Sequence, residues 1–357
     1  MHERLLADFA EGRKAALARA ISIVENHRTG FEELLATWHS RLGRARRIGI
    51  TGPPGAGKST LTTCLVRKFR AEGLTVGIVA VDPTSPFTGG ALLGDRIRME
   101  DVALDPGVYI RSLATRGSLG GLSAATRETC DVLDAFGMDR IIIETVGVGQ
   151  SELDVARTAD TSLVVLVPES GDSIQTLKAG LMEIADIFTV NKADRPGADR
   201  LRNELEVMLG MRGGAAMRNV PAHHGVDLSA NNIAKQARAA AAADDAERWT
   251  PPVLRTVAAK DEGITELVDA IDRHFRFLES SGTLRERRRT RMRERVIEVV
   301  EDKARRRLWS DDATNQWIDD RLGDLESGAS TPFGVANDLL ARSASLLAGE
   351  ASGVPRG

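Results

Sequence analysis

The chain is poor in cysteine, close to neutral and without long apolar runs. Only two of its 357 residues are cysteine, and both fall in predicted helices among apolar neighbours. A disulfide framework is therefore excluded, and two buried thiols are expected. No apolar run approaches the ~20 residues needed to cross a bilayer, so no membrane partner is expected. The formal charge of −3 creates no global field toward nucleic acid or anionic lipid.

Apolar residues, in contrast, make up 42% of the chain, which is enough for a large core. The N-terminal stretch is amphipathic and carries arginines, as mitochondrial transit peptides do. It also contains the acidic residues Glu3, Asp8, Glu11 and Glu25, in which transit peptides are poor. We therefore expect a folded helix of the mature protein, in a cytoplasmic enzyme.

Short β-branched runs alternate with helical stretches over residues 46–280. The runs are apolar throughout, which is typical of parallel strands covered on both faces. We predict a doubly wound, mostly parallel α/β domain there, with a helical extension over 1–45 and a C-terminal helical region over 281–357. The predicted strands are 48–51, 76–81, 108–111, 140–143, 163–167, 187–190 and 253–256.

The segment between the first of these strands and a predicted helix over 61–69 matches the phosphate-binding pattern G-x-x-x-x-G-K-[ST] in full. Its glycines let successive N–H groups point at an anion, and the helix N-terminus adds a partial positive charge. Lys58 is expected to reach the β- and γ-phosphates, and Ser59 to ligate Mg²⁺. The pattern predicts binding of a nucleoside triphosphate by Gly52, Pro53, Pro54, Gly55, Ala56, Gly57, Lys58, Ser59 and Thr60.

A second motif, N-K-x-D, follows the strand 187–190 and resembles the guanine-specificity loop of GTPases. Asp194 can accept two hydrogen bonds from the guanine N1–H and exocyclic amine, which adenine lacks. Asn191 is expected to hold the opposite base edge and fix the loop, and the stem of Lys192 to lie over the base. The motif favours GTP over ATP.

A third loop is expected to contact the base through backbone amides. The candidates Val257, Ala258, Ala259 and Lys260 follow the last predicted strand. Many GTPases carry serine where this chain has Val257, but the contact is mostly a backbone one.

Magnesium needs oxygen ligands beyond Ser59. The candidates are Asp82 and Glu144, which end predicted strands, and Asp95, which follows a glycine-containing loop. Each could instead be a helix cap or a surface charge. Glu144 is the strongest candidate, because a carboxylate at the tip of an apolar strand beside the phosphate loop faces the phosphates.

The run over residues 144–152, E-T-V-G-V-G-Q-S-E, identifies the subgroup. Its E-x-x-G form of the switch loop resembles the G3E class of P-loop GTPases. Within that class, the full run is similar to the methylmalonyl-CoA mutase-associated GTPases, a resemblance that covers about residues 10–280. It implies GTP binding and hydrolysis to GDP, which gate cofactor loading and protect or reactivate an adenosylcobalamin-dependent acyl-CoA mutase. It also implies a homodimer formed with the C-terminal helices.

The same resemblance implies roles for residues beyond the phosphate loop. Gly147 is the switch glycine, and Asp172 and Lys178 belong to an extra switch that signals the mutase. Lys58, Glu144, Asp172 and Lys178 are the expected catalytic residues. Valine follows Gly147 where Ras-like enzymes carry glutamine, which predicts slow intrinsic hydrolysis that the mutase accelerates.

Two other functions stay open at this point. One is an ATP-dependent kinase linked to amino-acid transport. The other is a nucleic-acid-associated GTPase, because residues 285–307 hold eleven basic residues against five acidic ones. Interleaved glutamates and an apolar stripe through Val296, Val299 and Val300 favour instead a charged helix packed on protein. The client could be a methylmalonyl-CoA, isobutyryl-CoA or 2-hydroxyisobutyryl-CoA mutase.

Overall fold

The structure is a computed structural model. It describes residues 2–83, 99–115, 121–145, 151–169, 182–212, 249–310 and 312–342. The chain divides into two compact units, Met1–Arg285 and Glu286–Gly357. In the described residues, no helix is long and apolar enough to cross a membrane.

The first unit is built on a parallel sheet of seven strands in the order β3-β2-β4-β1-β5-β6-β7. All seven predicted strands are present, so the predicted α/β fold is confirmed. β2 and β3 extend beyond their predicted ends, because the two strands stay paired as far as Pro83 and Thr115. The strands are β1 Arg46–Thr51, β2 Val76–Pro83, β3 Val108–Thr115, β4 Arg140–Thr145, β5 Thr161–Leu166, β6 Ile187–Val190 and β7 Val253–Arg255.

Helices precede, connect and follow these strands. In the first half of the chain they are α1 Glu3–Ala10, α2 Lys14–Glu25, α3 Phe31–Trp38, α4 Lys58–Ala71, α5 Glu100–Ala103, α6 Gly121–Phe136 and α7 Ser151–Thr158. In the second half they are α8 Met182–Ile184, α9 Ala198–Arg212, α10 Ile264–Ser280, α11 Thr283–Trp309, α12 Asp312–Asp319, α13 Leu322–Glu326 and α14 Pro332–Arg342.

Both faces of the sheet are covered, which explains why its strands are apolar throughout. In β4, Ile142 packs into the core that contains residues of α4 and α10. Its neighbours Ile141 and Ile143 pack into the opposite core, with residues of α1–α3 and α6. The N-terminal helices are thus part of the first unit. The ring of Phe9 stacks on Trp38 with centroids 4.2 Å apart, and it forms a T-shaped pair with Phe136 with centroids 5.0 Å apart.

The order of the strands brings the candidate site residues to one edge of the sheet. Because all strands are parallel, the loops after β1, β4, β6 and β7 leave from the same edge, where α/β proteins bind their ligands. β4 pairs directly with β1, and Glu144 lies opposite Ile50 in that register. The sheet therefore places Glu144 beside the start of the phosphate loop.

Candidate nucleotide site

Two glycines of the phosphate loop lie so close to neighbouring atoms that a side chain at either position would collide with them. Gly52 has φ of +140°, and a Cβ there would lie 2.1 Å from the carbonyl oxygen of Val165. Gly57, which precedes α4, has φ of +85°, and a Cβ there would lie 2.5 Å from Nδ2 of Asn191. The pattern of glycines thus allows the loop to approach β5 and the loop after β6.

Lys58 is the first residue of α4 and is nearly buried, with 6% of its surface exposed. Its ammonium group donates hydrogen bonds to the carbonyl oxygens of Gly52, at 2.8 Å, and Pro53, at 3.0 Å. These carbonyls satisfy a charge that would otherwise be costly to bury. The cation therefore lies against the phosphate loop itself.

Glu144 ends β4 as a buried carboxylate, 4% exposed. Ser59 donates a hydrogen bond to its Oε1 at 2.6 Å, and Thr62 donates one to its Oε2 at 2.8 Å. Both hydroxyls come from the first turns of α4. Two of the candidate magnesium ligands, Ser59 and Glu144, are thus brought together.

Oxygen donors of this kind suit Mg²⁺, which prefers carboxylate and hydroxyl ligands. Asp82 lies in β2, two residues beyond Ala80, the residue that pairs with Glu144. Asp95, Gly147, Asp172 and Lys178 lie outside the described residues. Within the described ranges, no group of three or more His, Cys, Asp or Glu side chains could hold a metal ion. A site here would combine Ser59 and Glu144 with further oxygens.

Asn191 follows β6, which lies on the other side of β1 from Glu144 in the order of the strands, and it joins three loops. Its Nδ2 donates to the carbonyl oxygen of Ala56 at 2.8 Å, and its Oδ1 accepts from the N–H of Ala258 at 3.1 Å and from Oγ1 of Thr256 at 3.2 Å. The side chain is 2% exposed. It links the phosphate loop, the N-K-x-D loop and the loop after β7 into one hydrogen-bonded unit.

The other two residues of the N-K-x-D motif are held by charged contacts. Lys192 adopts φ of +55°, and its ammonium group donates to the carbonyl oxygen of Gly55 at 2.8 Å. Asp194 accepts a hydrogen bond from Lys260 at 3.0 Å, and this bond holds the pKa of the Asp194 carboxyl below its ordinary value. The carboxylate is therefore ionised at neutral pH, as an acceptor for two N–H groups must be.

Sequence reasoning gave no role to Thr62 and Thr256, which contact the predicted site, and it expected of Lys260 only that its loop contacts the base. Thr62 holds Glu144, Thr256 holds Asn191, and Lys260 holds Asp194. Thr62 could have been found by its spacing, because residues three apart on a helix share a face and Ser59 precedes it by three. The contacts of Thr256 and Lys260 join residues more than sixty positions apart and leave no local pattern.

The fold is a doubly wound parallel sheet in which a phosphate loop follows β1 and an N-K-x-D loop follows β6. This combination defines a P-loop GTPase. The family model described as "Methylmalonyl Co-A mutase-associated GTPase MeaB" matches residues 17–313. The chain therefore belongs to the MeaB family of GTPases, which confirms the resemblance noted in its sequence.

Several relatives agree with this assignment. A relative from Pyrococcus abyssi is 49% identical over 300 residues, covering 84% of each chain. GTPase ArgK of Escherichia coli is 33% identical over 326 residues, covering 90% of each. The mouse protein named methylmalonic aciduria type A homolog, mitochondrial, is 32% identical over 352 residues, covering 95% of this chain and 78% of the relative. The crystal structure of a LAO/AO transport system kinase superposes with a TM-score of 0.64 at 26% identity, covering 96% and 97%.

Proposed function

We propose that this GTPase is a chaperone that gates cofactor loading and protects or reactivates an adenosylcobalamin-dependent acyl-CoA mutase. The observation that carries the proposal is the match of residues 17–313 to a family described as associated with methylmalonyl-CoA mutase. The run over residues 144–152 supports it through resemblance. Methylmalonyl-CoA mutase is the expected client, with isobutyryl-CoA and 2-hydroxyisobutyryl-CoA mutases as the other candidates.

The phosphates of GTP or GDP would lie in the loop over residues 52–60, with Lys58 against the β- and γ-phosphates. Ser59 and Glu144 would hold Mg²⁺, together with Asp82 and Asp95. When bound, the ion neutralises charge that develops on the phosphate oxygens. Water attacks the γ-phosphorus, the bond to the bridging oxygen breaks, and GDP and phosphate leave.

Guanine would be bound by Asn191, Lys192 and Asp194, with the backbone of Val257, Ala258 and Ala259 closing the base site. The hydrogen bonds of Asn191 to Ala56 and Ala258 support this arrangement, because they hold the base loops against the phosphate loop. The ionised carboxylate of Asp194 supplies the acceptor pair that separates guanine from adenine.

The link to the mutase would pass through Gly147, Asp172 and Lys178. We expect Asp172 and Lys178 to respond to the γ-phosphate and to be repositioned when the mutase binds, so that hydrolysis is slow alone and fast in the complex. Lys178→Ala should therefore leave GTP affinity nearly unchanged and abolish mutase-stimulated hydrolysis in a single-turnover assay. Unchanged stimulation would rule out this role for Lys178.

We also propose a homodimer formed by the C-terminal region over residues 281–357. Met292, Val296 and Val300 lie at four-residue spacing on α11 and are 54%, 63% and 59% exposed, an apolar face of the kind that packs on protein. Arg305 and Arg306 both pair with Asp302, at 2.9 and 2.8 Å. These pairs offset basic charge within the helix, which favours a protein contact over a nucleic-acid one.

The proposal is tested by binding to purified mutases. The full chain is loaded with GDP or with a non-hydrolysable GTP analogue and titrated against each of the three candidate mutases. We expect binding to one of them, with an affinity that differs between the two nucleotides. Equal affinity in both states would contradict a gate, and selectivity for ATP over GTP would favour a kinase.

A further inference from the structure

We infer that Thr62 is a positioning residue, which orients the carboxylate of Glu144 toward Ser59 and the bound ion. The inference rests on the proposed role of Ser59 and Glu144 in holding Mg²⁺. It assigns a task to a hydroxyl that lies beyond the phosphate-loop pattern.

The geometry places one carboxylate between two hydroxyls of the same helix. Ser59 and Thr62 are three residues apart, so their side chains lie on one face of α4. Each donates to a different oxygen of Glu144, at 2.6 Å for Ser59 and 2.8 Å for Thr62. Because Thr62 is hydrogen-bonded to Oε2, it restrains rotation about the bond to the carboxyl carbon of Glu144. Oε1 is thereby directed to Ser59.

Burial makes this contact more demanding than a surface hydrogen bond. Thr62 is fully buried and Glu144 is 4% exposed, so water has little access to replace the Thr62 hydroxyl. A carboxyl group in such a place needs hydrogen-bond partners for its oxygens. Without Thr62, Oε2 would lose one of these partners and the group could turn away from Ser59.

The neighbouring threonine shows that this contact is not what a helical threonine makes by default. Helical Ser and Thr side chains often bond to the carbonyl oxygen four residues earlier. Thr63 does so, donating to the carbonyl oxygen of Ser59 at 3.0 Å, and it is also buried, at 7% exposed. Thr62 instead reaches out of its helix to the end of β4. Thr63 is therefore a matched control in the same turn.

The experiment measures how Mg²⁺ slows the release of a fluorescent GDP analogue from the full-length protein. Thr62→Val keeps the shape of the side chain and removes the donor. We expect it to raise the Mg²⁺ concentration for half-maximal effect by about 10- to 100-fold, the usual result of losing a partner of a metal ligand. Release in EDTA should be unchanged. Thr62→Ser, which restores the donor, and Thr63→Val should both behave like wild type.

Several results would overturn the inference. One is that Thr62→Val needs no more Mg²⁺ than Thr63→Val does. Another is that Thr62→Val accelerates release in EDTA as much as it does in Mg²⁺. The third is that Thr62→Ser fails to restore the wild-type Mg²⁺ requirement. Thr62→Ala is read in the same way should the valine variant not fold. Glu144→Gln distinguishes a failure of the positioning role from a failure of the proposed metal site. If Glu144→Gln also leaves the Mg²⁺ requirement unchanged, the proposed metal site itself is wrong. If only Glu144→Gln has an effect, the positioning role alone is refuted.

Discussion

Alanine at Gly57 should destabilise the nucleotide-free protein more than alanine at Gly55, although both glycines have left-handed backbones. Their φ angles are +85° and +74°, so each substitution carries the strain of an L-residue there, about 1–2 kcal/mol. The surroundings differ. A Cβ on Gly57 would lie 2.5 Å from Nδ2 of Asn191, whereas a Cβ on Gly55 meets no atom within 4 Å.

The extra cost at Gly57 follows from the hydrogen bond that the new methyl group displaces. The Asn191 amide would have to move, which breaks its 2.8 Å bond to the carbonyl oxygen of Ala56. Leaving a buried polar group without its partner costs about 1–3 kcal/mol. We therefore expect Gly55→Ala to lower the free energy of unfolding by about 1–2 kcal/mol, and Gly57→Ala by about 2–5 kcal/mol.

Urea unfolding of the nucleotide-free variants, followed by far-UV circular dichroism, measures both values against wild type. The difference between the two variants is the informative quantity, since backbone strain cancels in it. Equal destabilisation of Gly55→Ala and Gly57→Ala would refute the view that Gly57 is required by its contact with Asn191.

Three further predictions follow from the same contacts. Asp194→Asn should remove a discrimination on the order of 10⁴-fold between GDP and ADP, measured by competition binding; retained discrimination would mean that another group reads the base. The hydrogen bond from Lys260 lowers the pKa of Asp194. The contribution of the Asp194 carboxylate to GDP affinity is therefore fully present above the ordinary pKa of aspartate, and it is lost as pH falls through the lowered pKa. GDP affinity should thus persist to lower pH in wild type than in Lys260→Met, and coincident pH profiles would contradict this. Burial raises the pKa of the Cys64 thiol to about 11 and of the Cys130 thiol to about 12, so a thiol reagent at pH 8 should label neither cysteine before denaturation and both after it; rapid labelling of the native protein would contradict their burial.

The strands could be predicted because central parallel strands are buried on both faces. The run Ile141–Ile143 serves two cores at once, so it is apolar without alternation. The ends of β2 and β3 could not be predicted in the same way. Polar residues such as Ser112 interrupt the apolar run, while pairing with the neighbouring strand continues to Thr115.

The site was predictable where a local pattern encodes it and not where distant loops meet. The residues of the phosphate loop and of the N-K-x-D motif are contiguous, so a pattern finds them. The bonds of Asn191 to Ala56 and Ala258 join residues 135 and 67 positions apart. They exist because the sheet order brings the loops after β1, β6 and β7 to one edge, which sequence spacing does not reveal. The predictions for Asp95, Gly147, Asp172 and Lys178 concern residues outside the described ranges and stay predictions.

The central claim is that the bound nucleotide is a timing signal read by another enzyme. Single-turnover GTP hydrolysis by the purified full-length protein, with and without its adenosylcobalamin-dependent mutase, tests this most directly. We expect slow hydrolysis alone and a marked acceleration when the mutase is added. Fast hydrolysis by the protein alone, with no response to any of the three candidate mutases, would contradict the account.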